Sequence, residues 1–323
     1  MLLKDLLRGS IPDDALERFS GHFDVIGNIA IVSIPRGLED YKKTIAETIL
    51  ASRKNISTVL NKVHKVSSEA RTASYEILIG DTTITRYREF GFQYCFDVTK
   101  VFFNVHMAHE RMRVTNQVEP GEHVLVPFCG VGPFAIPAAA RGAQVVAIEQ
   151  NPNAYTWLQE NIALNHVRKN ITTINGNAKD TRLLPDTRFD RIIIPTPYGM
   201  DSILDVLAPF TARDGMIHFY TFRARNEITA LVEDYAGKGF DLTYQNSCGN
   251  VAPGISRWVF DLIKKGLTGY SFLPQCRPKG IMHPSSQQDG SGSRSPRSRT
   301  LIRWHPPDGG GPQEIGRDRV LAP

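Results

Sequence analysis

The stretch from His123 to Pro152 constrains the fold of this chain more than any other part of the sequence. Its pattern predicts a β-loop-α-β unit in four consecutive pieces: an apolar strand at Val124–Val126, a glycine turn at Gly130 and Gly132, a helix at Ile136–Ala140, and a second strand at Gln144–Ile148. This unit predicts that the chain folds around an α/β sheet.

The same unit has the features of a nucleotide-cofactor site. Glycines after the first strand let the backbone approach a ligand closely, and Glu149, roughly 20 residues later, can accept both hydroxyls of a ribose. Two alternatives stay open on these residues alone. Gly130, Gly132 and Ala135 also satisfy the dinucleotide pattern G-x-G-x-x-G/A, which makes NAD a rival cofactor, and a glycine pair is compatible with an ordinary structural turn.

Composition is typical of a soluble globular protein. The chain has 323 residues, of which 41% are hydrophobic and 22% charged, enough for one large domain and a smaller one. No apolar run approaches the roughly 18 residues of a membrane span, and no signal-peptide pattern is present, so we expect a cytoplasmic protein without a membrane partner. The 4 cysteines show no C-x-x-C spacing, which argues against a zinc site or a disulfide framework, and no metal site is predicted.

Changes in composition and hydrophobic period divide the chain into four segments. They are a polar lead-in at residues 1–20, a small α/β domain at 21–80, a larger domain at 81–265 and a low-complexity tail at 266–323. The tail contributes most of the formal net charge of +5 and is expected to be disordered, because it has too few apolar residues to offset ordering entropy. The rest of the chain is therefore not strongly basic.

The small domain is predicted to begin with a β-hairpin. Two β-rich runs, Phe23–Ile26 and Ile29–Ile34, flank Gly27-Asn28, which is a two-residue turn signal. The other predicted elements are a helix with apolar positions Leu38, Tyr41, Ile45 and Ile49, and strands at Thr58–Val63 and Glu76–Ile79. A short helix is expected earlier, in the lead-in, around Asp13–Phe19.

The larger domain continues the alternation of strands and helices that the glycine unit begins. Strands are predicted at Ile171–Ile174, Ile192–Ile194, Met216–Phe222 and Arg257–Ile263, and helices at Ala154–Leu164 and Ile203–Leu207. This order favours a doubly wound, Rossmann-like sheet. The turns Asn175–Ala178 and Pro195–Tyr198 follow two of the strands, at the edge where such sheets bind ligands.

Basic and aromatic residues interleave from Arg86 to Arg113. Phe103, Met107 and Glu110 recur at helical spacing, which on a helix ahead of the first cofactor strand places Glu110 near the glycine loop. Such interleaving suits RNA, because cations contact phosphates and aromatic faces stack on bases, and the candidate contacts are Arg88, Lys100 and Arg113. The alternative is an amphipathic helix with aromatic core residues and solvated charges.

Several motifs resemble those of a known family. They are F-D-V-I-G-N-I-A-I-V-S-I-P, D-V-T-K-V-F-F, H-E-R-M-R, F-C-G-V-G-P-F, A-I-E-Q-N-P-N-A-Y and L-Q-E-N-I-A-L-N. Over residues 20–263, the chain resembles the archaeal and eukaryotic tRNA (guanine-N(1)-)-methyltransferases that act beside the anticodon. Their relatives, the aminocarboxypropyl transferases of wybutosine synthesis, share most of these motifs.

The resemblance implies roles for individual residues. Glu110, in the E-R-x-R motif, would be the general base, provided that burial raises its pKa. The implied S-adenosylmethionine contacts are Arg111, Phe128, Gly130, Gly132, Glu149 at the ribose, Gln150, Asn177 and Ala178 at the adenine, and Pro195. The protein is expected to be a monomer that binds the anticodon stem-loop of a tRNA.

The chain also departs from the family pattern at five positions. Val126 replaces an aspartate expected to hold the methionine amino group, and Pro195 replaces the asparagine of an N-x-P motif. Asn177 stands where an acid is expected beside the adenine, and Phe102 where a tyrosine is expected. His106 replaces an arginine ahead of the general base, which makes it the second catalytic candidate.

These departures leave the transferred group open. The resemblance implies methyl transfer to ring nitrogen 1 of a guanosine. The alternatives are transfer of the aminocarboxypropyl group, and a cofactor-binding but catalytically silent RNA-binding paralogue.

Overall fold

The structure is a computed structural model that describes residues 3–67 and 72–265. The described residues belong to one compact unit. The prediction of a disordered tail, which includes Cys276, concerns residues outside the described part of the chain.

The N-terminal region contains a four-stranded sheet in the order β1-β2-β3-β4. Its strands are β1 (Phe23–Ile26), β2 (Ile29–Val32), β3 (Thr58–Ser67) and β4 (Thr72–Ile79). The predicted hairpin is confirmed, since β1 and β2 pair antiparallel with Ile26 opposite Ile29. Strand β3 runs parallel to β2, so the chain crosses over through α3 (Lys42–Ser52), whose Ile45 and Ile49 are buried against the sheet.

The first twenty residues are more than a polar lead-in. They form two short helices, α1 (Leu3–Leu7) and α2 (Asp13–Arg18), and the second agrees with the helix predicted there. Leu7 and Phe19 are fully buried in the same apolar cluster as Ile45 of α3. The hydrophobic periodicity of such short helices is a weak signal. It does not show that they pack against another helix.

Residues 84–97 form a β-hairpin, so the alternative of an amphipathic helix does not hold for this part of the basic and aromatic stretch. Strands β5 (Ile84–Glu89) and β6 (Phe92–Asp97) pair antiparallel, and the turn places Phe90 at φ 47° and Gly91 at φ 88°. Two residues with positive φ define a tight hairpin turn. The sequence analysis predicted no hairpin here, because the turn sequence is Phe-Gly rather than the usual Asn-Gly and aromatic residues continue on both sides of it.

The larger sheet has seven strands in the order β12-β13-β11-β10-β7-β8-β9. These strands are β7 (His123–Pro127), β8 (Gln144–Glu149), β9 (Ile171–Asn175), β10 (Phe189–Ile194), β11 (Thr211–Arg223), β12 (Phe240–Ala252) and β13 (Ile255–Lys264). The five strands from β7 to β11 are parallel to one another, whereas β13 pairs antiparallel with both β11 and β12. The predicted mixed α/β fold with a mostly parallel sheet is confirmed. The strand order reverses between β7 and β10, which is where such sheets bind ligands.

Helices cover both faces of this sheet. They are α4 (Ala108–Thr115), α5 (Ala135–Ala140), α6 (Pro152–Leu164), α7 (Ile203–Leu207) and α8 (Ile228–Gly237). Buried residues of α4, α5 and α6 pack in one core with Val126 and Tyr220, while those of α7 and α8 pack in another with Leu125 and Phe219. Helix α8 and strand β12 were not predicted, and β12 is mostly exposed, so its sequence lacks the apolar alternation that marks a strand.

Among the described residues, no helix is both long and apolar enough to cross a bilayer.

Candidate functional site

Three residues in the loop after β7 have a left-handed backbone conformation. Phe128, Gly130 and Gly132 all adopt positive φ angles, of 54°, 56° and 96° respectively. A Cβ on Gly132 would overlap the side chains of Ile136 and Leu158, whereas a Cβ on Gly130 would meet no atom within 4 Å. Gly132 is therefore needed for packing, and Gly130 borders open space that a ligand could occupy.

Glu149 ties this loop to the end of β8. Its Oε2 accepts a hydrogen bond from the Gly130 backbone N–H at 2.7 Å, and its Oε1 accepts one from the Asn151 N–H at 2.8 Å. The carboxylate is thus held at the C-terminal edge of the sheet, directly beside the glycine turn. The neighbouring Cys129 is buried, and burial, with the Glu149 charge, raises the pKa of its thiol well above the usual value.

The other predicted cofactor residues lie at the ends of β8, β9 and β10, on the same edge. Gln150 and Asn177 are exposed, and the Asn177 side chain accepts a hydrogen bond from Lys179 N at 2.9 Å. Ala178 is buried. Pro195 is half-buried, and the chain turns sharply after it, because Thr196 N donates to Ile194 O at 2.8 Å. The structure therefore brings these residues to one edge of the sheet.

Val126 lies inside the sheet rather than at this edge. It is fully buried in the apolar core beside Val124. Whatever binds at the methionine end of a cofactor therefore receives no charge from this strand position.

Glu110 lies on α4 and is held by two donors. Arg113 donates from Nε to Glu110 Oε2 and from Nη2 to Oε1, both at 2.8 Å. The Tyr220 hydroxyl, from β11, donates to Oε1 at 2.7 Å. Burial, followed by the Glu110 charge, raises the pKa of Tyr220 well above its usual value, so the phenol stays a donor. The carboxylate is therefore oriented and only 10% exposed.

Glu110 is the first member of a hydrogen-bonded network that crosses the sheet. Arg113 also contacts Asp261 of β13, with Nη1 to Oδ2 at 2.6 Å, and His218 Nδ1 lies 2.7 Å from Asp261 Oδ1. On the other side of the ring, Arg191 Nη1 lies 2.7 Å from His218 Nε2. Because a guanidinium can only donate, His218 Nε2 accepts and Nδ1 carries the proton that is donated to Asp261.

The titration of this network follows from its burial. Burial lowers the pKa of His218 and outweighs the opposing effect of the hydrogen bond that His218 donates to Asp261, so the imidazole is neutral. For Asp261, burial raises the pKa, but hydrogen bonds from His218 and Arg113 outweigh it and hold the pKa well below the ordinary range. Asp261 therefore remains an anion beneath Arg113.

Arg111 does not face the cofactor edge. It is buried and forms a two-pronged ion pair with Glu89 of β5, through Nε to Oε1 at 2.7 Å and Nη2 to Oε2 at 2.5 Å. Its Nη1 donates to Asn104 O at 2.9 Å. Arg111 thus fastens α4 to the β5–β6 hairpin, and its place at the cofactor stays a prediction that no contact supports.

The remaining predicted residues, His106, Arg88, Lys100 and Arg113, differ in their exposure. His106 is exposed and pairs through Nε2 with Asp24 of β1 at 2.9 Å, rather than with the Glu110 cluster. Arg88 and Lys100 are exposed, as an RNA contact requires. Arg113 is instead an internal partner of two carboxylates, which leaves its guanidinium committed within the protein.

Sequence reasoning missed several residues of this region. Tyr198 follows β10 with 68% exposure, and its ring lies 5.3 Å from that of Phe222. Tyr220, Asp261 and Arg257 also belong here, although they lie in β11 and β13, far along the chain from Glu110. The only signal in the sequence was the pair of charged residues, Arg257 and Asp261, in the otherwise apolar run R-W-V-F-D-L of β13. No group of three or more His, Cys, Asp or Glu side chains suited to a metal occurs in the described part of the chain.

Comparison with known proteins places this site in a family. The TRM5/TYW2 methyltransferase domain matches residues 85–238, and the TYW2 N-terminal domain matches residues 3–83. The crystal structure of wild-type Trm5b from Pyrococcus abyssi superposes with a TM-score of 0.71 at 32% identity, over 79% of this chain and 78% of that one. The chain belongs to the TRM5/TYW2 methyltransferase family.

Both branches of the TRM5/TYW2 family are represented among the relatives. The P. abyssi protein, a tRNA (guanine(37)-N(1))-methyltransferase, is 36% identical over 214 residues, which is 66% of this chain and 63% of the relative. A tRNA(Phe) (4-demethylwyosine(37)-C(7)) aminocarboxypropyltransferase from Pyrococcus horikoshii is 33% identical over 55% of this chain and 64% of its own length. The structure of P. horikoshii TYW2 in complex with MeSAdo has a TM-score of 0.65 at 25% identity and covers 81% of this chain and 97% of that one. The aligned part of this chain spans less than two thirds of the length of the two curated relatives, the P. abyssi methyltransferase and the P. horikoshii aminocarboxypropyltransferase.

Proposed function

We propose that this chain transfers the methyl group of S-adenosylmethionine to ring nitrogen 1 of a guanosine beside the anticodon of a tRNA. The observation that carries the proposal is Glu110, a carboxylate in the first turn of α4 that Arg113 and the β11 residue Tyr220 hold in a fixed orientation. The P. abyssi relative supports the substrate, since its name specifies position 37 of tRNA.

The residues at the sheet edge fit S-adenosylmethionine. Gly130 borders open space, and Glu149 lies beside it, where a carboxylate oxygen can accept hydrogen bonds from ribose hydroxyls. Phe128, Gly132, Gln150, Asn177, Ala178 and Pro195 would complete the cofactor contacts. When bound, the cofactor supplies an electrophilic methyl group on a sulfonium. Because the chain belongs to a methyltransferase family, S-adenosylmethionine replaces NAD as the cofactor that we propose for the glycine loop.

Glu110 would act as the general base. Its Oε1 already accepts from Tyr220 and Arg113, whereas Oε2 accepts only from Arg113 among the described residues. Oε2 is therefore the oxygen that would take the proton from guanine N1. Arg113 and Tyr220 hold the carboxylate so that the proton leaves along a fixed direction, and fixed geometry accounts for much of general-base efficiency.

RNA would bind across the exposed side of α4 and the β5–β6 hairpin. Arg88 and Lys100 are the proposed phosphate contacts, and Tyr198 offers an exposed ring on which a base could stack. We further propose an RNA-facing domain at residues 21–80 ahead of a Rossmann-like cofactor domain at 81–265. The protein would act as a cytoplasmic monomer, and His106 would support the RNA-facing end of α4 through Asp24.

Mass spectrometry of nucleosides tests the function directly. Unmodified tRNA transcripts are incubated with the full chain and S-adenosylmethionine, digested, and compared with a reaction lacking protein. We expect 1-methylguanosine at the position next to the anticodon, and a transcript with adenosine at that position should gain nothing. Cofactor binding without any modified nucleoside would favour the silent paralogue that Val126 and Pro195 suggested.

The second candidate is aminocarboxypropyl transfer. It is favoured by the match of residues 3–83 to the TYW2 N-terminal domain, and by Val126, which leaves the methionine end without a carboxylate from β7. The two reactions use the same cofactor but move different substituents of its sulfur. The mass gained by the nucleoside, with a tRNA that carries the 4-demethylwyosine base as second substrate, separates them.

A further inference from the structure

The tip of the β5–β6 hairpin carries an aromatic residue in a backbone conformation that suits it poorly. Phe90 has φ 47°, in the left-handed region, and the residue is 40% exposed. A bulky side chain at positive φ is a strained outlier, and asparagine or glycine would fit a two-residue hairpin turn better. Backbone geometry therefore does not explain the ring at this position, and strained residues of this kind cluster at functional sites.

A buried ion pair fixes this tip against α4. Glu89, which directly precedes Phe90, is buried and accepts two hydrogen bonds from the buried guanidinium of Arg111. Because Arg111 directly follows Glu110 in α4, the ion pair also sets where Phe90 lies relative to the candidate base. The ring of Phe90 meets the imidazole of His109 edge to face, with centroids 5.8 Å apart and an interplanar angle of 68°.

Phe90 and His109 form an aromatic pair at the surface. Both residues are exposed. In an edge-to-face contact one ring presents its edge to the other, so the two rings do not cover each other face to face. Exposed aromatic faces are the groups on which proteins stack the unpaired bases of RNA. The pair therefore has the chemistry of a nucleobase contact.

Two cations precede the aromatic pair along β5. The residues of Ile84–Glu89 alternate between exposed and more buried positions, and Arg86 and Arg88 occupy exposed ones. Phe90 continues this alternation on the exposed side. The Arg88 guanidinium donates to the neutral side-chain oxygen of Gln93 at 3.4 Å, which does not cancel its charge. Arginines beside an exposed ring favour a polyanion with stacking bases over an apolar protein surface.

The aromatic pair lies next to the place where the target base must enter. His109 directly precedes Glu110, whose side chain is only 10% exposed. A base that reaches Glu110 must leave its stack in the RNA, while the nucleotides on either side of it stay at the surface. Extrusion of one base removes a stacking partner from each neighbour. A new aromatic face one residue from Glu110 can replace that partner.

We propose that Phe90 and His109 form a stacking platform for the base of the nucleotide next to the target guanosine. This inference rests on the proposed function and adds a contact with the flanking RNA to it. Every base has a π face, so the platform would contribute affinity and tolerate any base at the flanking position. The ion pair between Glu89 and Arg111 holds the hairpin tip in place before RNA binds, which reduces the entropy lost on binding.

Equilibrium binding of tRNA transcripts to variants of the full chain tests the platform. Phe90→Asn removes the ring, and we expect the tRNA dissociation constant to rise about 5–150-fold, the range for loss of one base–aromatic stack. The thermal midpoint should not fall, because asparagine adopts positive φ more readily than phenylalanine. Phe90→Tyr should restore most of the lost affinity. Ile84→Ala, an exposed apolar residue at the other end of β5, is the control and should bind tRNA as the wild type does.

Transcripts with an abasic residue on the 5′ or the 3′ side of the target link the effect to one nucleotide. For one of the two, the wild type should bind the abasic tRNA as weakly as Phe90→Asn binds the intact tRNA. Phe90→Asn should bind that abasic tRNA no more weakly than the intact one. Unchanged affinity of Phe90→Asn, losses that add at both positions, or a loss that comes with a lower thermal midpoint would overturn the inference.

The binding measurements need no turnover, so the platform and the proposed function can fail separately. If the wild type forms 1-methylguanosine but Phe90→Asn binds every tRNA normally, the platform is wrong and the function stands. If the wild type forms no modified nucleoside but Phe90 and one flanking base are coupled, the function is wrong and the platform stands. A wild type that binds no tRNA would overturn both.

Discussion

Glu110 depends on residues that lie far away in the sequence. The motif E-R-M-R was enough to nominate Glu110, because a motif is local. Its orienting partners, Tyr220 and Asp261 through Arg113, come from β11 and β13, and only the pairing of those strands brings them together. The sequence therefore predicted the candidate base but not the side chains that orient it.

Replacing Glu110 by glutamine removes the proton acceptor while keeping its shape. We expect the cofactor dissociation constant to stay near that of the wild type and the single-turnover rate constant to fall at least ~100-fold. An amide can still accept from Tyr220 and Arg113, so the network should survive. Rapid-quench methylation and calorimetry measure the two quantities, and equal rate constants would remove Glu110 from the base role.

His218 should make folding sensitive to mild acid. Its folded-state pKa lies below the ordinary value of 6.5, chiefly through burial, so below pH 6.5 the unfolded chain binds a proton that the folded chain resists. The free energy of unfolding therefore falls as pH drops from 6.5 towards the folded pKa, and Asp261 adds a further decline below about 3.8.

Urea unfolding of His218→Gln between pH 7.5 and 5.5 checks this prediction. Glutamine can donate to Asp261 and accept from Arg191 without titrating, so the variant should lose less stability over this range than the wild type. The exposed His123→Gln is the matched control and should keep the wild-type slope. Parallel pH profiles for all three proteins would show that His218 does not carry the effect.

At the scale of elements, the β5–β6 hairpin shows why part of the fold escaped prediction. Strand–helix alternation in the larger sheet is a local pattern, and it was predicted correctly from Val124 to Ile194. The hairpin instead depends on contacts made elsewhere. Asn161 of α6 accepts from Cys95 N at 2.7 Å and donates to Val131 O at 3.1 Å, so one buried side chain joins β6 to the glycine loop.

Asn161→Leu should therefore destabilise the protein strongly. The change keeps the number of side-chain heavy atoms but leaves the Cys95 N–H and the buried Val131 carbonyl without partners, which we expect to lower the free energy of unfolding by about 2–4 kcal/mol. Asn153→Leu, at the exposed start of the same helix, should change it by less than about 0.5 kcal/mol. Chemical denaturation measures both. Similar small losses in the two variants would mean that α6 does not hold the hairpin.

At the scale of the molecule, the N-terminal sheet is fastened to the hairpin at one close approach. The Thr85 hydroxyl of β5 lies 2.7 Å from Ile26 O and 3.0 Å from Asn28 Oδ1, on either side of the β1–β2 turn. His106 and Asp24 add an exposed pair nearby. Gly27-Asn28 predicted the turn, but nothing in its sequence showed that another strand packs against it.

Gly27→Ala tests whether this approach joins the two parts. Gly27 has φ 60°, and a Cβ there would overlap the Arg86 carbonyl oxygen and the Thr85 hydroxyl. Gly9→Ala is the matched control, since Gly9 has φ 81° but no atom within 4 Å of the added Cβ. Both variants incur about 1–2 kcal/mol for the left-handed backbone, so a larger loss of unfolding free energy in Gly27→Ala measures the contact with β5. The Gly27 variant should also bind tRNA more weakly, because the sheet and hairpin would no longer present one surface. Equal losses of stability in the two variants would show that the turn does not fasten the N-terminal sheet.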